Sequence, residues 1–278
     1  MMTRFCPTKI HQIDFVFILL ILLLVLFLPA SSYATPQETQ SSQAMETNTE
    51  QTPIAASQDN TSSSTPIEIV AEDALEWDRN EKTYTAAGNA SATQGVSSLH
   101  AETLIADYRK SQGESTEIWK LTAIMAVELR SEDGTAYGER AVFLVESGKA
   151  TMTGDNLRLE TDDRVITARD KFLYFTQDNR FEAYGDVVVD RGKDKLKADK
   201  IIAFFKENKS GNNNNGQKER SLDELKAFGN IIIETPDETI RGNEGTYNPE
   251  TDIAELVGDV SIQRNKNIVT GNRATVNL

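Results

Sequence analysis

The sequence predicts an all-β protein of antiparallel strands arranged in repeats, and three observations carry that prediction. From Ile67 onward apolar and polar residues alternate, with turn formers such as Asp78-Arg79-Asn80, Gly113, Asp133-Gly134 and Ser147-Gly148 between the runs. A two-part unit recurs from Ala71 to the end of the chain; its clearest copy is Ala183-Tyr184-Gly185-Asp186-Val187-Val188-Val189 followed by Leu196-Lys197-Ala198-Asp199-Lys200-Ile201. Helical spacing is nearly absent, with Ser221-Leu222-Asp223-Glu224-Leu225 the one place that suits a short helical turn.

Residues 1–34 read as an export signal. Arg4 and Lys9 precede an apolar run of 14 residues from Phe15 to Leu28, and Pro29 and Ser32-Tyr33-Ala34 follow, so cleavage is expected after Ala34. The run is shorter than the roughly 20 residues of a spanning helix, although retention as an anchor is the competing reading. Cys6, the single cysteine, lies in this leader, so the mature chain relies on backbone pairing and packing rather than disulfides. Residues 35–66 are rich in Thr, Ser, Gln and Pro and carry too few bulky apolar groups to offset ordering, which predicts a flexible tether. The repeat domain is expected over 67–278.

Within that domain each unit has two halves. The first sets a small residue and Asp or Asn before β-branched residues; the second sets Ala or Gly before a polar residue and a short apolar run. The small residues of the second halves are Ala71, Ala101, Gly138, Ala168, Ala198, Gly242 and Gly271, separated by 30, 37, 30, 30, 44 and 29 positions. The first halves give Gly88, Ile124, Gly154, Gly185, Gly229 and Gly258, of which only Ile124 breaks the pattern. Insertions at about 111–117 and 208–221 account for the two long steps, and Gly211-Asn212-Asn213-Asn214-Asn215-Gly216 marks the second as a disordered loop. Two strands per repeat suit a meander or a slowly wound antiparallel stack better than a parallel β-helix, because hairpin-type turns separate the halves.

Strand alternation places Val187 and Val189, Ile231 and Ile233, and Val260 and Ile262 on one face. In the second halves Ala198 and Ile201 differ by three, so a bulge or a two-sided strand is required. Glycine inside a strand costs about 0.5 to 1 kcal/mol relative to alanine. Its recurrence in the first halves therefore implies a bend at one level of the stack. Such a sheet folds into a V or flattened roll around a long apolar groove.

The residues Ala71 to Trp77, Ala87-Gly88-Asn89, Leu99 to Asp107, Tyr184-Gly185-Asp186-Val187 with Ala198-Asp199, and Val257-Gly258-Asp259-Val260 resemble the repeat of the LptA/OstA-like family of lipopolysaccharide-transport proteins. The resemblance implies an antiparallel β-jellyroll, here of about 13 strands, whose interior holds lipid acyl chains. Val187, Val189, Ile231, Ile233, Val260 and Ile262 then become candidate lipid-binding residues. It also implies a periplasmic location and stacking of rolls end to end, between an inner-membrane LptC-like and an outer-membrane LptD-like jellyroll protein, with a head-to-tail homo-oligomer as a further possibility. A membrane-anchored LptC-like component and an exported structural or adhesive repeat protein are the rival readings. A twelve-carbon acyl chain removed from water contributes on the order of 10 kcal/mol at about 0.8 kcal/mol per CH₂, so an apolar groove suffices. The terminal stretch with Ile268, Thr270, Thr275, Val276 and Leu278 reads as a strand edge offered to a partner, unless a neighbouring strand or loop covers it.

The chemistry of the remaining residues points the same way. A formal charge of −14 repels nucleic-acid phosphates and anionic membrane surfaces. His100 is the one histidine beyond the leader and sits within a predicted strand, which leaves little for a nucleophilic triad. The carboxylate pairs Asp162-Asp163, Glu132-Asp133 and Glu72-Asp73 lie at or near turns, where solvated charge is the default. No catalytic residue, metal ligand set or cofactor is expected.

Overall fold

The computed structural model describes residues 68–277 apart from 95, 111–115, 132–133 and 213–217. The expected signal peptide, the tether and Leu278 lie outside the described residues. Sixteen strands form in chain order: β1 (Glu68–Val70), β2 (Ala74–Asp78), β3 (Thr83–Gln94), β4 (Ser97–Lys110), β5 (Thr116–Ser131), β6 (Gly134–Leu144), β7 (Lys149–Thr153), β8 (Leu157–Glu160), β9 (Val165–Ala168), β10 (Lys171–Phe175), β11 (Arg180–Arg191), β12 (Asp194–Asn212), β13 (Lys218–Glu234), β14 (Glu238–Asn248), β15 (Ile253–Arg264) and β16 (Asn267–Asn277). They make one antiparallel sheet, and no helix occurs among the described residues. Three pairs act as halves of one rung: β1 and β2 both pair with β3, β7 and β8 with β6, and β9 and β10 with β11. Sixteen strands therefore make thirteen rungs, in agreement with the repeat count.

Every long rung bends at the level of the recurrent glycines. In β11, Tyr184 pairs with Lys200 and Val187 with Ala198, so Gly185 and Asp186 together face Asp199 alone. The same two-against-one bulge recurs at Gly88-Asn89, Gly229-Asn230 and Gly258-Asp259. Both residues of each pair have positive φ; at Gly229 and Asn230 the values are 73° and 47°. A second residue class does the same work in β5. The bend falls on Met125 and Ala126, with φ of 62° and 50°, one position beyond the Ile124 suggested by repeat spacing. The irregular first half thus keeps the crease and lacks only the glycine.

The crease divides the sheet into two leaves. The first contains β2, β7, β10 and, for example, residues 180–184 of β11; the second contains β1, β8, β9 and residues 187–191. Phe172, Tyr174, Phe181 and Ile201 from the first leaf and Leu157, Ile166, Val187 and Ile231 from the second belong to one buried cluster. Small residues stand beside the crease, Ala90 opposite Ala101 and Val187 opposite Ala198, which lets the leaves meet. The bulge also explains the second-half spacing, since Ala198 and Ile201 are both buried on either side of Asp199.

Two expectations are corrected. Ser221 to Leu225 is strand, part of β13: Leu222 pairs with Phe205 and Glu224 with Phe204, so a bulge at Asp223 creates the three-residue spacing that resembled a helix. The stretch 208–221 is not loop throughout, because β12 continues to Asn212 and pairs there with Lys218. Backbone groups form this ladder whatever the side-chain composition; residues 213–217 lie outside the described set.

Candidate functional site

The inner face of the second leaf follows from its alternation. Val187, Ile231 and Val260, the apolar residues nearest the crease, are 0%, 2% and 3% exposed and belong to the packed core. Val189, Ile233 and Ile262, one step further out, are partly exposed and pack against it. These six residues therefore share the inner face but occupy two levels. The outer level continues directly across the strands as Val189, Leu196, Ile233, Ile240, Ile262 and Val269. Leu196, Ile240 and Val269 escaped sequence reasoning because the parity of the second halves was undetermined without the bulge.

The facing row of the first leaf is aromatic at intervals. Register connects Trp77, Tyr84, Ala106, Leu121, Phe143, Ala150, Tyr174 and Phe181. It continues through Ala203, Leu225, Tyr247, Ala254 and Val276. Trp77, Tyr174 and Tyr247 look scattered within the repeat unit, yet the insertions and bulges bring them to one level. Polar ends are satisfied at the rim. Trp77 Nε1 donates to Tyr108 Oη at 2.8 Å, and Tyr247 Oη donates to Asp252 Oδ1 at 2.7 Å. Burial, aided by that carboxylate, pushes the Tyr247 hydroxyl up to about 12.

At the rim of the second leaf, in the turn between β8 and β9, the Arg164 guanidinium is buried. It donates from Nε and Nη2 to the two Asp163 oxygens at 2.8 and 2.6 Å, with Arg191 Nε 3.4 Å from the same carboxylate. Arg164 holds Asp163 below its ordinary carboxylate range, with smaller help from Thr161 and Arg191. The other acidic pair that can be placed, Glu72-Asp73, is likewise structural: Glu72 accepts from Asn89, and Asp73 packs against Gly88. His100 stands in β4 between Ser91 and Glu128. Among the described residues, no group of three or more His, Cys, Asp or Glu side chains is placed to hold a metal.

Both ends of the sheet are open among the described residues. β16 pairs with β15 alone, and β1 and β2 with β3 alone. Of the residues expected at the partner edge, Ile268, Thr270 and Thr275 are exposed and Val276 is partly buried. The opposite edge exposes Ile69, Leu75 and Trp77 at 51%, 68% and 48%. Ile69, Leu75 and Trp77 lie opposite Ala92, Ala86 and Tyr84, so they continue the inner faces.

Residues 68–180 and again 170–278 match the family described as LptA/(LptD N-terminal domain) LPS transport protein. The chain belongs to this family. It is accordingly an LPS transport protein of the LptA family rather than an enzyme. The two matches overlap at β10, so the family pattern is repeated twice within one continuous sheet. Among solved structures the chain is similar to LptH, the LptA homologous periplasmic component of the lipopolysaccharide transport device from Pseudomonas aeruginosa. That similarity has 19% identity and a TM-score of 0.36 over 44% of this chain and 83% of LptH. A comparison with curated proteins yields no match.

Proposed function

We propose that this LptA-family member is an exported periplasmic protein that shields the acyl chains of lipopolysaccharide between its two leaves. It passes them along the stack toward the outer membrane. The observation that carries this reading is the unbroken inner row that runs from Ile69 at the first edge through Ala92, Leu129, Ile166 and Val189 to Val269 at the last, facing a row that is aromatic at intervals. Val189, Ile233 and Ile262 are the first contacts of the lipid, while Val187, Ile231 and Val260 form the floor that the leaves must part to expose. End-to-end pairing with an LptC-like jellyroll on one side and an LptD-like jellyroll on the other extends the row, using Ile268, Thr270, Thr275, Val276 and Leu278 at one edge. Photocrosslinking tests the groove. Probes at Val189 and Ile233 should capture lipopolysaccharide, whereas probes at Val188 and Ile232 should not; capture from the latter pair alone would reverse the facing assignment. A proline at Val276 should weaken end-to-end pairing, and unchanged association would count against the edge.

A further inference from the structure

The two open edges carry opposite charge. Residues 68–82, which form the first rung and its following turn, contain Glu68, Glu72, Asp73, Glu76, Asp78 and Glu81 against Arg79 and Lys82, a net charge of −4. Residues 265–277, the last turn and rung, contain Lys266 and Arg273 and no acidic side chain, a net charge of +2. Among the described residues Glu68, Glu76 and Lys266 have no ion-pair partner, and Arg273 reaches only Glu255 at 3.7 Å across an exposed surface.

Strand direction adds a second constraint. With thirteen antiparallel rungs, the first and the last run the same way, each passing from the second leaf to the first. A second copy added head to tail therefore continues the sheet through a parallel pair, with β16 beside the β1 and β2 of its neighbour. In that arrangement inner apolar residues meet, Val269 beside Ile69 and Val276 beside Leu75 and Trp77. On the outer face Lys266 approaches Glu68, and Arg273 approaches Asp73 and Glu76. Pairing β16 with a second β16 would be antiparallel but would bring two +2 edges together, and pairing the first rungs would join two −4 edges.

Resting on the stacking reading above, we infer that charge fixes the polarity of the stack: the basic last edge of one copy docks on the acidic first edge of another, and like edges exclude each other. Charge of this kind chooses among geometries that backbone pairing alone leaves open. The contact lies at the surface, so it weakens as the screening length falls from about 10 Å at 0.1 M salt to about 3 Å at 1 M.

The test uses the full chain with Cys6→Ser. Self-association measured by sedimentation should fall on the order of tenfold between 0.1 and 1 M NaCl. It should fall similarly in Arg273→Glu/Lys266→Glu at 0.1 M, and return in an equimolar mixture with Glu68→Lys/Glu76→Lys. Oxidation should link Val276→Cys to Leu75→Cys in a mixture of the two single variants. Association with that crosslink but no response to salt or charge reversal would overturn the inference and leave stacking intact. A crosslink formed by Val276→Cys alone would overturn the polarity, and no association under any condition would reject a second copy as the occupant.

Discussion

Substituting Gly229 with alanine tests the crease directly. The residue sits at φ +73°, where a β-carbon costs roughly 1 to 2 kcal/mol. An added Cβ would also stand 2.8 Å from Asp199 Cγ, so the carboxylate must move. Moving it breaks the 2.9 Å hydrogen bond from Asn230 Nδ2, worth about 1 kcal/mol. Gly229→Ala should therefore destabilise by about 2 to 3 kcal/mol, less a few tenths for the stiffer unfolded chain. For a domain of this size that lowers Tm by roughly 5 to 10 °C. Urea unfolding of the wild type, Gly229→Ala, Asp199→Ala and the double variant separates the two terms. In the Asp199→Ala background the alanine should cost only the backbone share, about 1 to 2 kcal/mol, a coupling of about 1 kcal/mol. A cost of Gly229→Ala below about 0.5 kcal/mol, or zero coupling, would refute this account of the bend.

Met125→Gly should act in the opposite direction, because it relieves a left-handed β-carbon at an exposed position; allowing for the extra freedom of glycine when unfolded, a gain of about 0.5 kcal/mol is expected in the same urea assay. Asp163→Asn should cost about 2 kcal/mol, since the buried Arg164 loses its charged acceptor. Because Asp163 is depressed in the folded state, its contribution is present above the unfolded value near 3.8 and is lost as pH falls through the lower folded value; the variant should flatten that acid limb of the stability profile. Tyr247 has the opposite sign: raised to about 12, its contribution is complete below about pH 10 and is lost as pH rises toward 12, so alkaline unfolding should begin at higher pH in Tyr247→Phe, with tyrosinate absorbance reporting the titration.

The periodic features were legible in the sequence, and the local exceptions were not. Repeated glycine announced the bend because few other residues hold positive φ at low cost, and β-branched alternation assigned Val187, Ile231 and Val260 to the inner face. Met125 was invisible for the same reason: nothing in a methionine signals a left-handed backbone, and the demand comes from the neighbouring rungs. Leu196, Ile240 and Val269 were hidden by a different cause. A bulge reverses parity once per rung, and only the pairing of Ala198 with Val187 and Lys200 with Tyr184 locates it. Leu222 and Leu225 show how such a bulge imitates helical spacing.

The two levels of the inner face bear on how a sheet can be both stable and receptive. A single row of exposed valines and isoleucines would offer a groove at the expense of the core, whereas a fully buried row would leave no entry. Here the crease separates the roles. Small residues beside it, such as Ala90, Ala101, Ala183 and Ala198, draw the leaves together and bury Val187, Ile231 and Val260. One step away Val189, Ile233 and Ile262 are partly exposed while still packed against the core. The division is uneven along the sheet, because at the same outer level Leu159, Ile166 and Ile240 are 3%, 6% and 1% exposed. A bend set at the same level in β3, β5, β11, β13 and β15 therefore aligns the inner row, while the side chains at each rung decide how open it is.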